Sequence, residues 1–261
     1  MMARAGALAL ILSAAPGAVA GQGLAERVAE VEEAIVRFAF ETRPDVEICR
    51  RGIRMGEDRH MIWEGGSWGD TPLDCRFGPA EVELDVVDGM VRDVEVVIPR
   101  RGRASRAVDL GLVPAGEVVA FLRDVALGAG TDHGAKEAVF PMVLADVDDV
   151  WRPLLDIAMD RRVPSGARKS ALFWVGQEAA DAATEGLTDV ARDRDEDQDV
   201  RDAAVFALSQ RPAEESVPVL MELARDADRA GTRRTAMFWL AQSGDARVAA
   251  FFEEILLGRV R

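Results

Sequence analysis

One stretch of the chain carries the pattern of a serine nucleophile. GGSWG, from Gly65 to Gly69, fits G-x-S-x-G, and aspartates and His133 follow it in the order used by α/β-hydrolases. In those enzymes the serine lies between a strand and a helix of a large parallel sheet. Here Ser67 is followed by WGDTPLDC, a loop segment with a proline. We therefore interpret the match as coincidental.

An acidic loop, DRDEDQD, has the spacing of a calcium-binding loop. Asp193 and three further aspartates occupy alternate positions. An EF-hand then needs glycine at the sixth position and glutamate at the twelfth, where this chain has Gln198 and Ala204. We interpret the segment as a solvated loop between helices, with a weak cation site of another kind as the alternative.

The two histidines, His60 and His133, do not form a metal-binding HExxH pattern. Asp58 or Glu64 would give His60 a carboxylate for general acid–base chemistry, but a chain with 46 acidic residues contains many such pairs. We therefore predict no catalytic residue, no cofactor and no metal, and we expect that the protein is not an enzyme.

The N-terminus predicts export. Arg4 precedes an apolar run that is too short to span a bilayer, and Ala18-Val19-Ala20 has the small-x-small pattern of a cleavage site. We expect residues 1–20 to be a signal peptide. The mature protein would then be periplasmic or extracellular, with no integral membrane segment after cleavage.

The only cysteines, Cys49 and Cys75, agree with export. A metal site needs three or four ligands, and only His60 lies nearby in sequence. The CxxC spacing of redox proteins is also absent. Since an even pair of cysteines in an exported chain indicates a disulfide, we predict a Cys49–Cys75 bond.

Residues 21–110 are predicted to form a small α+β domain stapled by that disulfide. AEVELDVVDGMVRDVEVVI alternates apolar and polar residues on both sides of Asp88-Gly89, a strong two-residue hairpin turn. IVRFAF and HMIWEGG are typical of further strands, and the segment that starts at GLAERVAEV is helical in pattern at its beginning. These elements predict an antiparallel sheet.

The C-terminal half repeats itself with a period of about 33 residues. ALFWVGQ, AVFALSQ and AMFWLAQ begin at Ala171, Ala204 and Ala236, and LLDIAMD, LTDVARD and LMELARD precede them at the same spacing. Each unit contains two stretches whose apolar residues recur at i, i+3 and i+4, which is one face of a helix. Stacked helix pairs of this kind form an α-solenoid, because one pair cannot bury its own apolar face.

These motifs resemble the HEAT repeat family, and the short units look most like the HEAT-like repeats of phycobilisome lyases. The resemblance covers about 114–257. It implies an all-α solenoid at 111–261 with about four helix pairs and a terminal cap helix. The degenerate first pair is formed by VVAFLRDVALG with KEAVFPMVLADV, and the cap helix by VAAFFEEILLG. The fold class is thus an α+β domain followed by a solenoid, mainly α overall.

The whole arrangement is similar to a group of bacterial exported proteins that join a cysteine-bearing β domain to HEAT repeats. The stretches that carry this similarity are WEGGSWGDTPLDCRFGPAEVEL, DLGLVPAGEVVAFL and LADVDDVWRPLLDIA. The similarity implies an architecture and no mechanism, since fold does not determine function.

Aromatic residues supply the candidate binding site. One phenylalanine recurs in each unit, and we predict that these residues form the core between repeats: Phe140, Phe173, Phe206 and Phe238. The next residue lies 100° further round the helix. If that position faces the inner surface, Trp174 and Trp239 border a notch at Ala207, and tryptophan is enriched at binding hot spots. The alternative is that both tryptophans pack against neighbouring helices.

Basic residues precede the same helices and would flank such a groove, where they would suit an acidic segment of a partner: Arg168, Lys169, Arg233 and Arg234. The chain as a whole has a formal net charge of −14, which argues against nucleic acid as a partner. We predict a protein-interaction scaffold that uses the concave solenoid surface. The alternatives are a small-ligand sensor that acts through the β domain, and a lyase- or chaperone-like enzyme built on HEAT-like repeats.

Overall fold

The computed structural model of this protein describes residues 22–49, 52–55, 60–63, 75–97, 107–177 and 181–257. The predicted signal peptide and Ser67 lie outside these residues. Two small sheets form the N-terminal region, and a run of helices forms the C-terminal region. After a short helix, α1 (Leu24–Ala29), the strands are β1 (Glu33–Phe40), β2 (Val46–Cys49), β3 (Gly52–Met55), β4 (His60–Trp63), β5 (Cys75–Arg76), β6 (Ala80–Val87), β7 (Met90–Val97) and β8 (Val108–Leu112).

The first sheet has the strand order β7-β6-β1-β8, and only its β1–β8 pair is parallel. The predicted hairpin is β6–β7, and its alternating pattern places Val82, Leu84 and Val86 in the core. Its turn residues, Asp88 and Gly89, have φ values of 53° and 71°. Positive φ at both positions is the geometry that makes Asp-Gly a hairpin turn, so the sequence prediction is confirmed here.

The second sheet is antiparallel throughout, with the order β4-β3-β2-β5. Its inner strands bury Val46, Ile48 and Ile53. Cys49 on β2 lies directly opposite Cys75 on β5, and the two sulfur atoms are at disulfide distance, 2.06 Å. The two-residue strand β5 is therefore attached to its sheet covalently as well as by hydrogen bonds.

The helical region consists of consecutive helix pairs, and the second helix of each pair packs on the second helix of the next. The pairs are α5–α6, α7–α8 and α9–α10, preceded by an irregular unit and followed by a single helix, α11. The bounds are α2 (Ala115–Asp124), a π-helical turn (Val125–Ala129), α3 (Asp132–Glu137), α4 (Val139–Leu144), α5 (Trp151–Met159), α6 (Ser165–Gln177), α7 (Asp181–Arg192), α8 (Gln198–Ser209), α9 (Ala213–Asp226), α10 (Ala230–Gln242) and α11 (Ala246–Leu256).

The degenerate first unit has a broken second helix, since α3 and α4 are separated at Ala138. Pro141 explains the break. A proline has no N–H to donate to the carbonyl four residues earlier, here that of Glu137, and its ring collides with that carbonyl.

The sheets and the first helices share one hydrophobic core, in which Phe38, Leu84, Leu122 and Leu154 are fully buried. Hydrogen bonds join the two regions as well. The Thr131 hydroxyl donates to the Arg92 carbonyl at 2.9 Å, and the amide of Arg43 donates to the carbonyl of Leu144 at 2.9 Å. Strand β8 ends at Leu112, two residues beyond the boundary that the sequence predicts, and α2 begins three residues later.

Candidate protein-binding face

Six aromatic rings form a continuous series along the second helices of the units. Neighbouring ring centroids are 4.9 to 6.3 Å apart, in stacked, tilted or edge-to-face arrangements. Aromatic pairs attract one another at these separations when the rings are offset-stacked or meet edge to face. We call this series the aromatic ladder; its rings follow the order Phe140, Trp174, Phe173, Phe206, Trp239 and Phe238.

The ladder is partly open to solvent. Phe173 exposes 36% of its surface and Phe238 exposes 55%, whereas Trp174 exposes 9%. The other three rings, Phe140, Phe206 and Trp239, are half-buried. The exposed phenylalanines therefore lie outermost and the tryptophans lie beneath or beside them, contrary to the expected arrangement.

The prediction that the repeated phenylalanines form the core is thus wrong for Phe173 and Phe238. Helix α6 buries Ala171 and Val175, four residues apart on one face. Phe173 lies two residues from each, which is about 200° round the helix, so it faces away from the core. In α10, Phe238 has the same relation to Ala236 and Leu240, both fully buried.

The notch expected between Trp174 and Trp239 is also absent from the described residues. Ala207 is completely buried, because α6 approaches α8 closely at this point. A Cβ atom on Gly176 would lie 2.8 Å from the carbonyl oxygen of Ala207 and 3.0 Å from its Cβ. Because Gly176 has no side chain, the backbones of α6 and α8 come close enough together to fill the space beside Ala207.

This close approach predicts the effect of Gly176→Ala. In an unhindered helix the change stabilises by up to about 1 kcal/mol. Here the added methyl group meets backbone atoms that cannot rotate away, and overpacking costs roughly 1–3 kcal/mol. We expect the free energy of unfolding, measured with urea, to fall by about 1–2 kcal/mol. Gly116→Ala is the matched control, since its Cβ would have no neighbour within 4 Å; equal stability of the two variants would contradict the packing argument.

Three of the four basic residues predicted to flank a groove are engaged elsewhere. Arg168 is only 2% exposed and forms a two-pronged ion pair with Glu196. Arg233 donates to the carbonyl of Ala227 at 2.5 Å, and Lys169 pairs with Asp199 at 2.6 Å. The expectation of a basic flank is therefore wrong for Arg168 and Arg233, which face the protein itself.

The fourth, Arg234, is exposed and lies one helical turn before Phe238, so it does border the ladder. Because Lys169 is neutralised by its partner, Arg234 is a single positive charge rather than part of a basic strip. This arrangement removes the reason to expect an acidic partner segment.

A periodic set of arginines bonds to backbone carbonyls, a structural role that the sequence analysis did not predict. Arg168, Arg201 and Arg233 each lie five residues before the repeated phenylalanine. All three donate to backbone carbonyls near the end of the first helix or in the loop that follows it. Carbonyls at a helix end have no partner within the helix, and a cation near them is favourable. The sequence contained a signal for this role, because aligning the three repeats places an arginine at the same position in each.

The ion pair of Arg168 and Glu196 links neighbouring units. Arg168 Nη1 lies 2.9 Å from Glu196 Oε1, and its Nε donates to the carbonyl of Ala158 at 2.8 Å. Burial by itself raises the pKa of Glu196. Hydrogen bonds from Arg168 and from the amide of Asp197, together with the charge of Arg168, outweigh burial and hold the pKa below its ordinary value of 4.5.

This pair makes stability depend on pH. Because the pKa of Glu196 is lower in the folded than in the unfolded protein, its stabilisation is complete above about pH 4.5 and is lost as the pH falls through the folded-state pKa. We expect the urea midpoint of the parent to fall more steeply with acid, below pH 4.5, than that of Arg168→Met/Glu196→Gln. Surface carboxylates are common to both proteins and cancel in the comparison. If the urea midpoints of the two proteins change with pH in parallel, the pair does not contribute to the pH dependence.

Asp58, Glu64 and the side chain of His60 lie outside what the structure describes, and the other candidates for chemistry make structural contacts. His133 is exposed, and its Nε2 lies 3.3 Å from Asp93 at the junction of sheet and helices. In the acidic loop, Asp193 is paired with Arg161 and Asp199 with Lys169, and these hydrogen bonds lower the pKa of both carboxyls. These carboxylates serve as inter-repeat ion pairs. Glu47, Cys49 and Cys75 lie close enough together to hold a metal, but the bonded cysteines offer no thiolate.

The helical architecture agrees with one known family. Residues 184–260 match HEAT repeats. The match begins inside α7 and continues through α11, so it covers most of the last two helix pairs and the terminal helix. The HEAT resemblance predicted from sequence is confirmed for this part of the chain, and the narrower likeness to lyase repeats and to the exported group stays a prediction. No curated protein matches the chain.

Among the described residues, no helix is both long and apolar enough to cross a membrane.

Proposed function

We propose that this protein is a non-catalytic, exported interaction scaffold that binds a protein partner through the aromatic ladder. HEAT repeats commonly mediate protein interactions, and stacking of repeats makes extended surfaces available for them. The single observation that carries the proposal is the exposure of Phe173 and Phe238 on a connected series of rings.

The energetics favour binding at this place. Exposed aromatic rings that are rigidly supported lose little conformational entropy on binding and bury a large area per residue. Phe173 rests against Trp174 and Phe206, and Phe238 rests against Trp239. A partner that covers these two rings would complete their burial without reordering the helices beneath.

Two further observations support a non-catalytic role outside the cytoplasm. The described carboxyls with lowered pKa values all accept hydrogen bonds from arginine, lysine or threonine side chains in structural contacts, which is not the arrangement of a convergent catalytic pocket. Cys49 and Cys75 lie at disulfide distance, which suits an oxidising compartment.

Affinity capture tests the proposal. Tagged protein is retained with its partners from the cell-envelope fraction of the source organism, and bound proteins are quantified by mass spectrometry. We expect Phe173→Ala/Phe238→Ala to lose at least 90% of a partner that the parent retains, since loss of two aromatic anchors costs roughly 2–4 kcal/mol.

The control is Phe77→Ala/Met159→Ala. Phe77 is 65% exposed and Met159 51% exposed, and both lie off the ladder, in the N-terminal region and at the end of a first helix. Circular dichroism of all three proteins checks that the fold is kept. Equal loss of the partner from both double variants, or retention by the ladder variant, would refute a binding role for the ladder.

A further inference from the structure

Three side chains that can bind a metal ion meet at one edge of the second sheet. Val46 and Ile48 point into the core, so Glu47 and Cys49, which alternate with them on β2, point to the opposite face. Cys75 lies directly opposite Cys49 on the neighbouring strand. A carboxylate oxygen of the glutamate and the two sulfur atoms all lie within 4.8 Å of one another. In the part of the chain that the structure describes, no other group of three histidine, cysteine or carboxylate side chains is this compact.

Arg54 holds the glutamate in position. It lies opposite Glu47 in the register of β2 and β3, and its Nη1 atom is 3.0 Å from Glu47 Oε2. A carboxylate has two oxygen atoms, so one can bind a metal ion while the other keeps this ion pair. Side chains that bind metals are characteristically oriented by a second contact of this kind. Two thiolates and a carboxylate around a divalent cation also leave one excess negative charge, which the guanidinium of Arg54 balances.

The cysteine pair has the spacing that zinc needs. A tetrahedral zinc ion bonds sulfur at about 2.3 Å, which separates two sulfur ligands by about 3.8 Å. Residues directly opposite on antiparallel strands have Cβ atoms about 4.5–5.5 Å apart, so rotation of two freed cysteine side chains can set their sulfur atoms at that separation. The backbone of β2 is held in place meanwhile, because β3 and β5 pair with it on its two sides.

The mixture of ligands favours zinc. Thiolates bind Cu(I) and Zn²⁺, whereas carboxylates bind Mg²⁺ and Ca²⁺, and zinc is the ion among these that takes both kinds of ligand. We propose that reduction of the Cys49–Cys75 disulfide converts this edge of the sheet into a Zn²⁺ site, with Cys49, Cys75 and Glu47 as its protein ligands. A water molecule completes the tetrahedron, as in other zinc sites with three protein ligands. This site is separate from the aromatic ladder and does not depend on the proposed scaffold function.

The conversion needs a reductant, and a dithiol supplies it. A thiolate of the dithiol attacks the sulfur of Cys75, which is half-buried, rather than that of Cys49, which is 1% exposed. The bond between the two protein sulfurs breaks, Cys49 leaves as a thiolate, and the second thiol of the reductant then releases Cys75. Two electrons and two protons thus pass to the protein, and the reductant becomes a disulfide. Zn²⁺ then displaces the two thiol protons.

Zinc binding by the full-length protein, measured by isothermal titration calorimetry before and after reduction, tests the inference. The protein is reduced with a phosphine, which is removed by gel filtration without oxygen before Zn²⁺ is added. We expect one Zn²⁺ ion per reduced chain and no binding of comparable affinity by the oxidised chain. Bound zinc should also raise the urea midpoint of the reduced protein towards that of the oxidised protein, because it ties β5 to β2 again.

Substitutions show whether all three ligands take part. Glu47→Gln removes one ligand and keeps the side-chain volume, so we expect the zinc affinity of the reduced protein to fall by about tenfold or more. Asp45→Asn is the matched control, because it removes the same charge from another carboxylate paired with an arginine, 3.2 Å from Arg43. This control should keep the parent affinity. Cys49→Ser/Cys75→Ser should abolish the site in both redox states.

Each other result overturns the inference. Equal zinc affinity of the oxidised and reduced parent places the binding elsewhere, and no saturable binding by the reduced parent removes the site altogether. If Glu47→Gln binds zinc as tightly as Asp45→Asn, the glutamate is not a ligand. Circular dichroism of the reduced, zinc-free proteins checks that the fold is kept. If the reduced parent has unfolded, zinc must restore its native spectrum, and failure to do so also contradicts the proposed site.

Discussion

Replacing Arg168 with methionine is expected to lower the free energy of unfolding by about 3–5 kcal/mol. Methionine keeps most of the side-chain volume, but it leaves the carboxylate of Glu196 buried without its counter-charge. Glu196 is 7% exposed, so water cannot replace the lost hydrogen bonds without opening the junction between two repeats. Urea unfolding followed by circular dichroism measures the change.

A neighbouring residue provides the control for this prediction. Lys169 also forms an ion pair, with Asp199, but its side chain is 39% exposed and that of Asp199 is 53% exposed. Lys169→Met should cost no more than about 1 kcal/mol, as exposed ion pairs do. Arg168→Met/Glu196→Gln should recover part of the loss, because it removes the buried uncompensated charge. Similar losses for Arg168→Met and Lys169→Met would contradict the buried-pair account.

Removal of the disulfide in Cys49→Ser/Cys75→Ser is expected to destabilise the N-terminal region by roughly 3 kcal/mol. The bond closes a loop across 26 positions of sequence and thereby restricts the unfolded chain. It also fixes β5, whose two residues cannot hold a strand in place by hydrogen bonds alone. Urea unfolding of the oxidised parent and the variant gives the difference directly.

Reduction supplies an independent check of the disulfide. Dithiothreitol should shift the unfolding midpoint of the parent to that of the variant and leave the variant unchanged. A parent that carries two free thiols under non-reducing conditions, or whose midpoint does not respond to reduction, would contradict a stabilising bond.

The sequence predicted the architecture well because its main signals are local. The alternation around Asp88-Gly89 determines a hairpin by strand geometry and turn conformation alone. The 33-residue period likewise predicts helix pairs without knowledge of their contacts, and Pro141 lies in the unit that the sequence marks as degenerate. In these places short-range chemistry and the final packing agree.

The binding face was predicted less well because it depends on how helices of different units pack together. The recurrence of Phe173 indicates a fixed role but does not say whether that role is in the core or on the surface. The decisive fact is the close contact of Gly176 with Ala207, which brings two backbones together and determines which helix face is covered. Such a contact between residues 31 positions apart is not visible in either local motif.

The positions of the basic residues were also hard to predict from sequence, because they too depend on packing between repeats. Arg168 and Lys169 are adjacent in sequence and both form ion pairs, yet the pair of Arg168 is buried and that of Lys169 is open to solvent. A step of 100° along the helix separates them, and only the position of the next repeat decides which one meets Glu196. Comparison of equivalent positions across units, five residues before the phenylalanine, would have identified Arg168 as structural.

Site-specific photocrosslinking tests the central claim, that the aromatic ladder is the binding surface, most directly. Benzoylphenylalanine is placed at position 173 or 238, and in control proteins at position 77 or 159, before irradiation in the cell-envelope fraction. The account predicts one common crosslinked partner from positions 173 and 238 that is absent from the two controls. Crosslinks to that partner from 77 and 159 but not from 173 or 238 would contradict it.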